Sequence, residues 1–491
     1  MLLGIDMGSS SCKAAVFTEN GELKEVVSEP YGNVGIKDGL VEMPAEGFWL
    51  AFQRAVARIA ADWGKDISAI AVSSHGETAI PVDENGAAVH FALMNADNRG
   101  VQYSQALETA LGRERIYSIT GLPAHPMYSL AKMLYFENRY PEKAGKVWKY
   151  CTVPDYLHLR LGITPRTDET LASRFMAFDI HTRKWSDEIL TAAGMDRGKL
   201  WDTAPSGTYL GEITDRAAGD LGLPAGTKVF VGGHDQPCGV LGSGLSEHGM
   251  ALSAGTYECL CAVSSRPLSA AEGLPGSFNS YCHVLPGQYI TLGFFPAAAV
   301  LDWYLGLLFP REENRYAVLD SLESGEPTGI LLTPHLIGAC NPHWNPSARG
   351  AVYGLSLETK PLDIIKAVYE GMACELRLNL EMLEKFFGTP EEIRAFGGNV
   401  RGHFGAQLRA DLTGKRIRRL DAGETVCRGA AILAGVGDGV FGDYLDASRH
   451  MSGSADLFVP DAARFARYSG QYARYTGIYS AMQSLERESE Q

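Results

Sequence analysis

The residues best suited to chemistry stand at the ends of short apolar runs. Val229-Phe230-Val231 is a β-branched and aromatic stretch that reads as a buried strand; Gly232-Gly233 break it, and His234-Asp235-Gln236 follow. A carboxylate at the C-terminal end of a strand stands where open α/β sheets gather ligands. There Asp235 has the chemistry to accept the proton of an attacking hydroxyl, as an acidic base does in phosphoryl transfer. The small-residue run from Cys238 to Gly242 suits a closely packed helix start, so Asp235 also fits a plain helix cap. This stretch alone does not choose between the two.

A second acid closes the first strand pattern, Leu2-Leu3-Gly4-Ile5-Asp6. Met7-Gly8-Ser9-Ser10-Ser11 is a tight turn, and Cys12 to Phe17 resumes as a strand. Such a turn leaves N–H and hydroxyl donors free for phosphate oxygens, Lys13 adds positive charge, and Asp6 suits a metal ion, directly or through water. The pattern recurs from Gly249 to Val263, with Gly255-Thr256 at the turn. Two such hairpins, each associated with an acid, suggest a duplicated architecture with a nucleotide between the halves. Each hairpin in isolation is equally an ordinary one with a small-residue turn. A further buried strand pattern, Ala69 to Ser74, leads into His75-Gly76-Glu77-Thr78, whose side chains offer donors and acceptors for hydroxyls. No GxxxxGK[ST] loop and no strand–GxGxxG–helix unit is present.

The elements that must carry these residues belong to an ordinary globular chain of 491 residues, 45% hydrophobic and 21% charged, long enough for two or three domains. A net charge of −14 argues against nucleic acid or an anionic membrane as partner. Nine cysteines without CxxC pairs suit free thiols, and no apolar run is long enough to span a bilayer; a cytoplasmic enzyme is expected. Helical spacing predicts a helix over Leu362–Phe387 and another from Asp461 to about Arg487, with Tyr468, Tyr472, Tyr475 and Tyr479 on one face. Lys415, Arg416, Arg418 and Arg419 alternate along a strand pattern and are expected to form a solvated sheet edge.

Taken in order, these stretches resemble the FGGY carbohydrate kinase family of the actin-like ATPase superfamily. GIDMGSSSCK resembles its first phosphate motif, Gly39 to Trp49 its GWVEQDPEEIW stretch, and Tyr128 to Phe136 a signature around Lys132. Thr167 to Asp187 and Pro334 to Gly350 are similar to two further stretches, with Ala339-Cys340 where the second carries Glu-Arg. Phe396 to Asn399 with Leu408 to Gly414 is similar to the adenosine motif. The resemblance implies an α/β, ribonuclease H-like duplicated fold with a catalytic cleft: an N-terminal domain over 1–245, a C-terminal domain over 246–446 and a helical tail over 447–491.

It also implies roles. Asp235 matches the catalytic base, and Asp6 with Asp235 the acids near Mg²⁺. Gly8, Ser9, Ser10 and Lys13 match the first phosphate loop and Gly255 and Thr256 the second; Gly397, Gly398 and Asn399 lie against adenosine, with Arg401 and Gly402 as further contacts. Ser74-His75-Gly76-Glu77 is a hybrid of the substrate stretches of xylulokinase-like and glycerol kinase members, and Asn95 to Arg99 resembles WNDxR, which makes Asp97 a substrate contact. The implied reaction is transfer of the γ-phosphate of ATP to a sugar hydroxyl, that of a pentulose such as xylulose, in a homodimer. A glycerol-type polyol kinase and a non-catalytic actin-fold sensor of sugar or ATP are the alternatives.

Overall fold

Leu2, Leu3, Ile5 and Met7 are apolar on both faces of their strand, the pattern of a strand covered on both sides. In the computed structural model this strand lies inside a six-stranded sheet. The structure describes residues 1–491 except 33–34, 38–39, 246–248, 324, 401, 421–423, 452, 454 and 490–491. Gly39, Arg401 and the domain start expected at Ser246 lie outside the described residues. The first sheet comprises β1 (Leu2–Met7), β2 (Ser11–Phe17), β3 (Leu23–Pro30), β4 (Ala69–Ser74), β5 (Tyr209–Glu212) and β6 (Lys228–His234), in the order β5-β6-β4-β1-β2-β3. The second comprises β7 (Gly249–Ala254), β8 (Tyr257–Ser264), β9 (Asn279–Cys282), β10 (Tyr289–Pro296), β11 (Glu392–Phe396), β12 (Arg416–Leu420) and β13 (Ala455–Phe458), in the order β9-β10-β8-β7-β11-β12-β13.

The two sheets repeat one plan. In the first, β3, β2 and β1 form an antiparallel meander, and β4 and then β6 join β1 in parallel. In the second, β10, β8 and β7 form the meander, and β11 and β12 join in parallel. Parallel strands need crossover connections, and these carry the helices. Helix α1 (Glu46–Trp63) buries Phe48, Phe52, Val56 and Ile59, a helical stripe, in the core beneath β2 and β3. The short α2 (Asp235–Gly242) follows β6, and α3 (Pro361–Phe387) covers the second sheet. Helix α4 (His403–Thr413) packs on α3, and α5 (Thr425–Gly437) follows β12. Helix α5 nevertheless lies on the first sheet: Cys427, Ala430 and Leu433 share a core with Leu2, Phe17, Ala69 and Phe230. A Cβ at Gly4 would fall 1.8 Å from the Cys427 carbonyl oxygen, so only glycine admits the helix there.

One expectation changes. The basic run Arg416 to Arg419 is not a sheet edge, because β13 pairs outside β12; Arg418 is bonded to Glu392 and Arg419 to Asp456 instead of to solvent alone. The residues read as a helical tail over 447–491 also contain a strand. They supply β13 to the second sheet, and α6 (Ala462–Ser489) buries Tyr468, Tyr472 and Tyr475 in the core shared with α3 and α4.

Candidate active site

Register brings the chemistry together. β1, β4 and β6 run parallel with Met7, Ser74 and His234 side by side, so Asp6, His75 and Asp235 end adjacent strands on one edge. Asp235 opens α2, and its Oδ1 is buried without a hydrogen-bond partner among the described residues; His234 Nε2 lies 3.2 Å away. Burial, followed by the nearby carboxylates of Asp6 and Glu77, pushes the Asp235 carboxyl up to about 8. Burial also pushes Asp6 up to about 7, against the pull of Lys13, and Asp6 Oδ1 is likewise unpartnered.

On one side of Asp235 lies a cavity of about 430 Å³ walled by His75, Gly76, Glu77, Arg174, His234 and Trp344 among others. Arg174 is buried; its Nε donates to Glu77 Oε1 at 2.6 Å and its Nη1 to Asn279 Oδ1 at 3.0 Å. Its guanidinium sits between the rings of Tyr128 and Tyr281, at 5.2 and 4.9 Å. Both ring nitrogens of His75 are engaged, Nδ1 with the Met7 carbonyl and Nε2 with Thr78 Oγ1. Burial lowers the pKa of His75, His125 and His234, which favours the neutral imidazole at each.

On the other side is a cavity of about 330 Å³ walled by Asp6, Gly8, Ser9, Ser10, Lys13, Gly255, Gly397, Gly398 and Glu424. Asp235 and Gln236 line both cavities. Lys13 Nζ, the one lysine or arginine nitrogen on this wall among the described residues, meets Glu424 Oε2 at 3.0 Å. Gly397 has φ of +108°, and a Cβ there would lie 2.4 Å from the Ala254 carbonyl oxygen, so the backbone at this turn approaches the second hairpin as only glycine permits. Gly255 and Gly398 in turn open onto a third cavity of about 930 Å³, lined by Thr256, Tyr369, Asn399, Gly402, His403 and Phe404.

The predicted residues thus fall on one continuous path, with two exceptions. Ser74 is fully buried, its Oγ donating to the His75 carbonyl, and is not on a cavity wall. Asp97 is also fully buried; it accepts from Arg99 Nε at 2.8 Å and from the Val41 N–H at 2.7 Å, while its neighbours Asn95, Ala96 and Asn98 face the cavity. Sequence reasoning missed Arg174, Gln236 and Glu424. Gln236 was legible as the next residue of the Asp235 stretch; the other two meet their partners 97 and 411 residues away.

Residues 1–242 match the FGGY family of carbohydrate kinases, N-terminal domain, and residues 250–437 its C-terminal domain. The chain is 27% identical to a xylulose kinase of Escherichia coli over 494 residues, covering 98% of this chain and 99% of the relative. It is 28% identical to a gluconokinase of Bacillus subtilis over 477 residues, covering 94% and 91%. Its fold superimposes on that of a xylulose kinase from Rhodospirillum rubrum with a TM-score of 0.88 at 22% identity, over 99% of both chains. Among the described residues no helix is long and apolar enough to cross a membrane. The two matched halves, the repeated sheet plan and the shared fold are those of the duplicated actin-like architecture, and the chain belongs to the FGGY family of carbohydrate kinases.

Proposed function

We propose that this chain transfers the γ-phosphate of ATP to a hydroxyl of an uncharged sugar, a ketose such as xylulose being the leading candidate. The observation that carries the reading is the position of Asp235 on the walls of both the 430 Å³ and the 330 Å³ cavities. A base there reaches a sugar hydroxyl on one side while the phosphate to be attacked lies on the other. Asp235 holds the hydroxyl and accepts its proton. Ser9, Ser10, Gly255 and Lys13 offer donors to the phosphates, and Gly397, Gly398, Asn399 and Gly402 border the nucleoside.

Two buried, unpartnered oxygens, Asp6 Oδ1 and Asp235 Oδ1, fit a divalent cation held by few carboxylates and otherwise by water and phosphate, the habit of Mg²⁺. When bound, such an ion neutralises charge on the phosphates.

The wall of the sugar-side cavity argues for an uncharged acceptor. Its one arginine or lysine among the described residues, Arg174, is already paired with Glu77, and burial favours the neutral form of its histidines. A sugar acid would find no unpaired cation there. ADP release with Mg-ATP across xylulose, ribulose, gluconate and glycerol, with Asp235→Asn beside the native protein, tests the reading. Xylulose-stimulated turnover absent from the variant supports it. Stimulation by glycerol alone would select a polyol kinase, and nucleotide binding without stimulation by any acceptor would favour a sensor.

A further inference from the structure

Beneath the 930 Å³ cavity lies a charged group that phosphoryl transfer does not use. Glu258 on β8 and Arg409 on α4 are both 0% exposed. Arg409 donates from Nη2 to Glu258 Oε1 and from Nε to Oε2 at 3.2 Å, and from Nη1 to the Gly405 carbonyl at 2.8 Å. The same Glu258 Oε1 accepts from Asn399 Nδ2 at 2.6 Å. A carboxylate gripped by a guanidinium offers only acceptors, so the amide edge facing it must be the NH₂. That fixes the other edge. Asn399 Oδ1 has no partner among the described residues, and Asn399 stands on the cavity wall one position beyond Gly398, which also lines the phosphate cavity.

Resting on the nucleotide reading above, we propose that Glu258 and Arg409 are positioning residues that hold Asn399 Oδ1 as a fixed acceptor, and that this oxygen selects a nucleotide by a hydrogen-bond donor of its nucleoside. An acceptor oxygen repels phosphate, so the nucleoside is its partner. Two donors share that chemistry, the 6-amino group of adenine and a ribose hydroxyl. Asp320 and Glu323 also line the cavity but are solvent-exposed, so their orientation is not fixed in this way.

The test is calorimetric binding of ATP, ITP, 2′-deoxy-ATP and 3′-deoxy-ATP to the full chain, together with sugar and ATP KM values. Native protein is expected to bind ATP about tenfold tighter than the analogue lacking the recognised donor, the worth of one well-made hydrogen bond. ITP as the weak ligand assigns the amine, and a deoxy nucleotide assigns that hydroxyl. Asn399→Ala should bind ATP and that analogue equally, with the sugar KM unchanged. Glu258→Met combined with Arg409→Met removes the buried pair without leaving a lone charge, and should lose the same discrimination although Asn399 remains. If the double variant does not fold, Asn399→Ala decides. Equal binding of all four nucleotides by the native chain, or discrimination that survives Asn399→Ala, overturns the proposal. A native chain that binds no ATP overturns the nucleotide reading and this proposal with it.

Discussion

The two halves repeat a backbone and divide the labour differently. In the first, the strand ends carry side chains: Asp6 in the last residues of β1, His75 after β4 and Asp235 after β6. At the equivalent ends of the second stand Gly255 after β7 and Gly397-Gly398 after β11. Of the 430 Å³ cavity's wall, the first half supplies the charged and histidine side chains, among them His75, Glu77, Arg174, His234 and Asp235, and the second half supplies apolar and aromatic ones such as Tyr257, Phe294 and Trp344; glycine backbone of the second half approaches where phosphates and nucleoside are expected. On the proposed function, one plan yields a reactive edge and a holding edge, and a single carboxylate at the seam lines both cavities. The difference lies in what the strand ends display, with the strand order held constant.

That division predicts large effects from side-chain changes in the first half and small ones in the second. Asp235→Asn should lower turnover by about 10³-fold or more, within or above the usual contribution of a general base, while ATP binding measured by calorimetry stays within a few-fold. Comparable turnover in the variant would remove Asp235 from the reactive edge. Glu77→Ala should raise the sugar KM by about 10²-fold and the ATP KM little. It should also cost about 3 kcal/mol in urea unfolding, because Arg174 is left buried without its partner. A larger rise in the ATP KM would place Glu77 on the wrong side of the seam. Thr256→Ala, on the holding edge, should raise the ATP KM by only about tenfold, since a single neutral hydrogen bond is at stake. An effect as large as that of Asp235→Asn would erase the distinction between the edges.

The smallest effect concerns stability. The folded Asp235 carboxyl, raised to about 8, binds its proton more tightly than the unfolded one. Native stability from this group is therefore full in acid and declines as pH rises from the ordinary carboxylate range toward 8. Asp235→Asn has no such decline, so without divalent cations its Tm should exceed that of the native protein by about 5 °C at pH 9 and converge with it near pH 4. Added Mg²⁺ should narrow the gap by stabilising the ionised native carboxylate.

Legibility in the sequence followed the same division, with an important limit. Asp6, Asp235 and the glycines of both hairpins were readable because strand, turn and acid are neighbours in the chain, and such local patterns also yielded the duplicated architecture. Arg174 with Glu77, Lys13 with Glu424 and Glu258 with Arg409 were not, since each pair joins residues that no local period relates. Asp97 shows the converse. Its motif was recognised, but its carboxylate is consumed by Arg99 and the Val41 N–H, and position in a motif does not say which way a side chain turns. The run at Arg416 was read as an edge because β13, only four residues long, has too little alternation to register as the strand that covers it.

Helix α5 has a consequence for how the protein is made. The face formed by Leu2, Phe17, Ala69 and Phe230 is complete once β6 has left the ribosome, yet it is covered by Cys427, Ala430 and Leu433. Those residues are synthesised roughly 200 positions later, which at ordinary elongation speeds is on the order of 10–40 s. Throughout that interval the nascent first half presents an uncovered apolar face. Vectorial folding of this chain therefore cannot finish its first sheet before its last third is translated, and the same interlock ties the fate of each half in the cell to the arrival of the other.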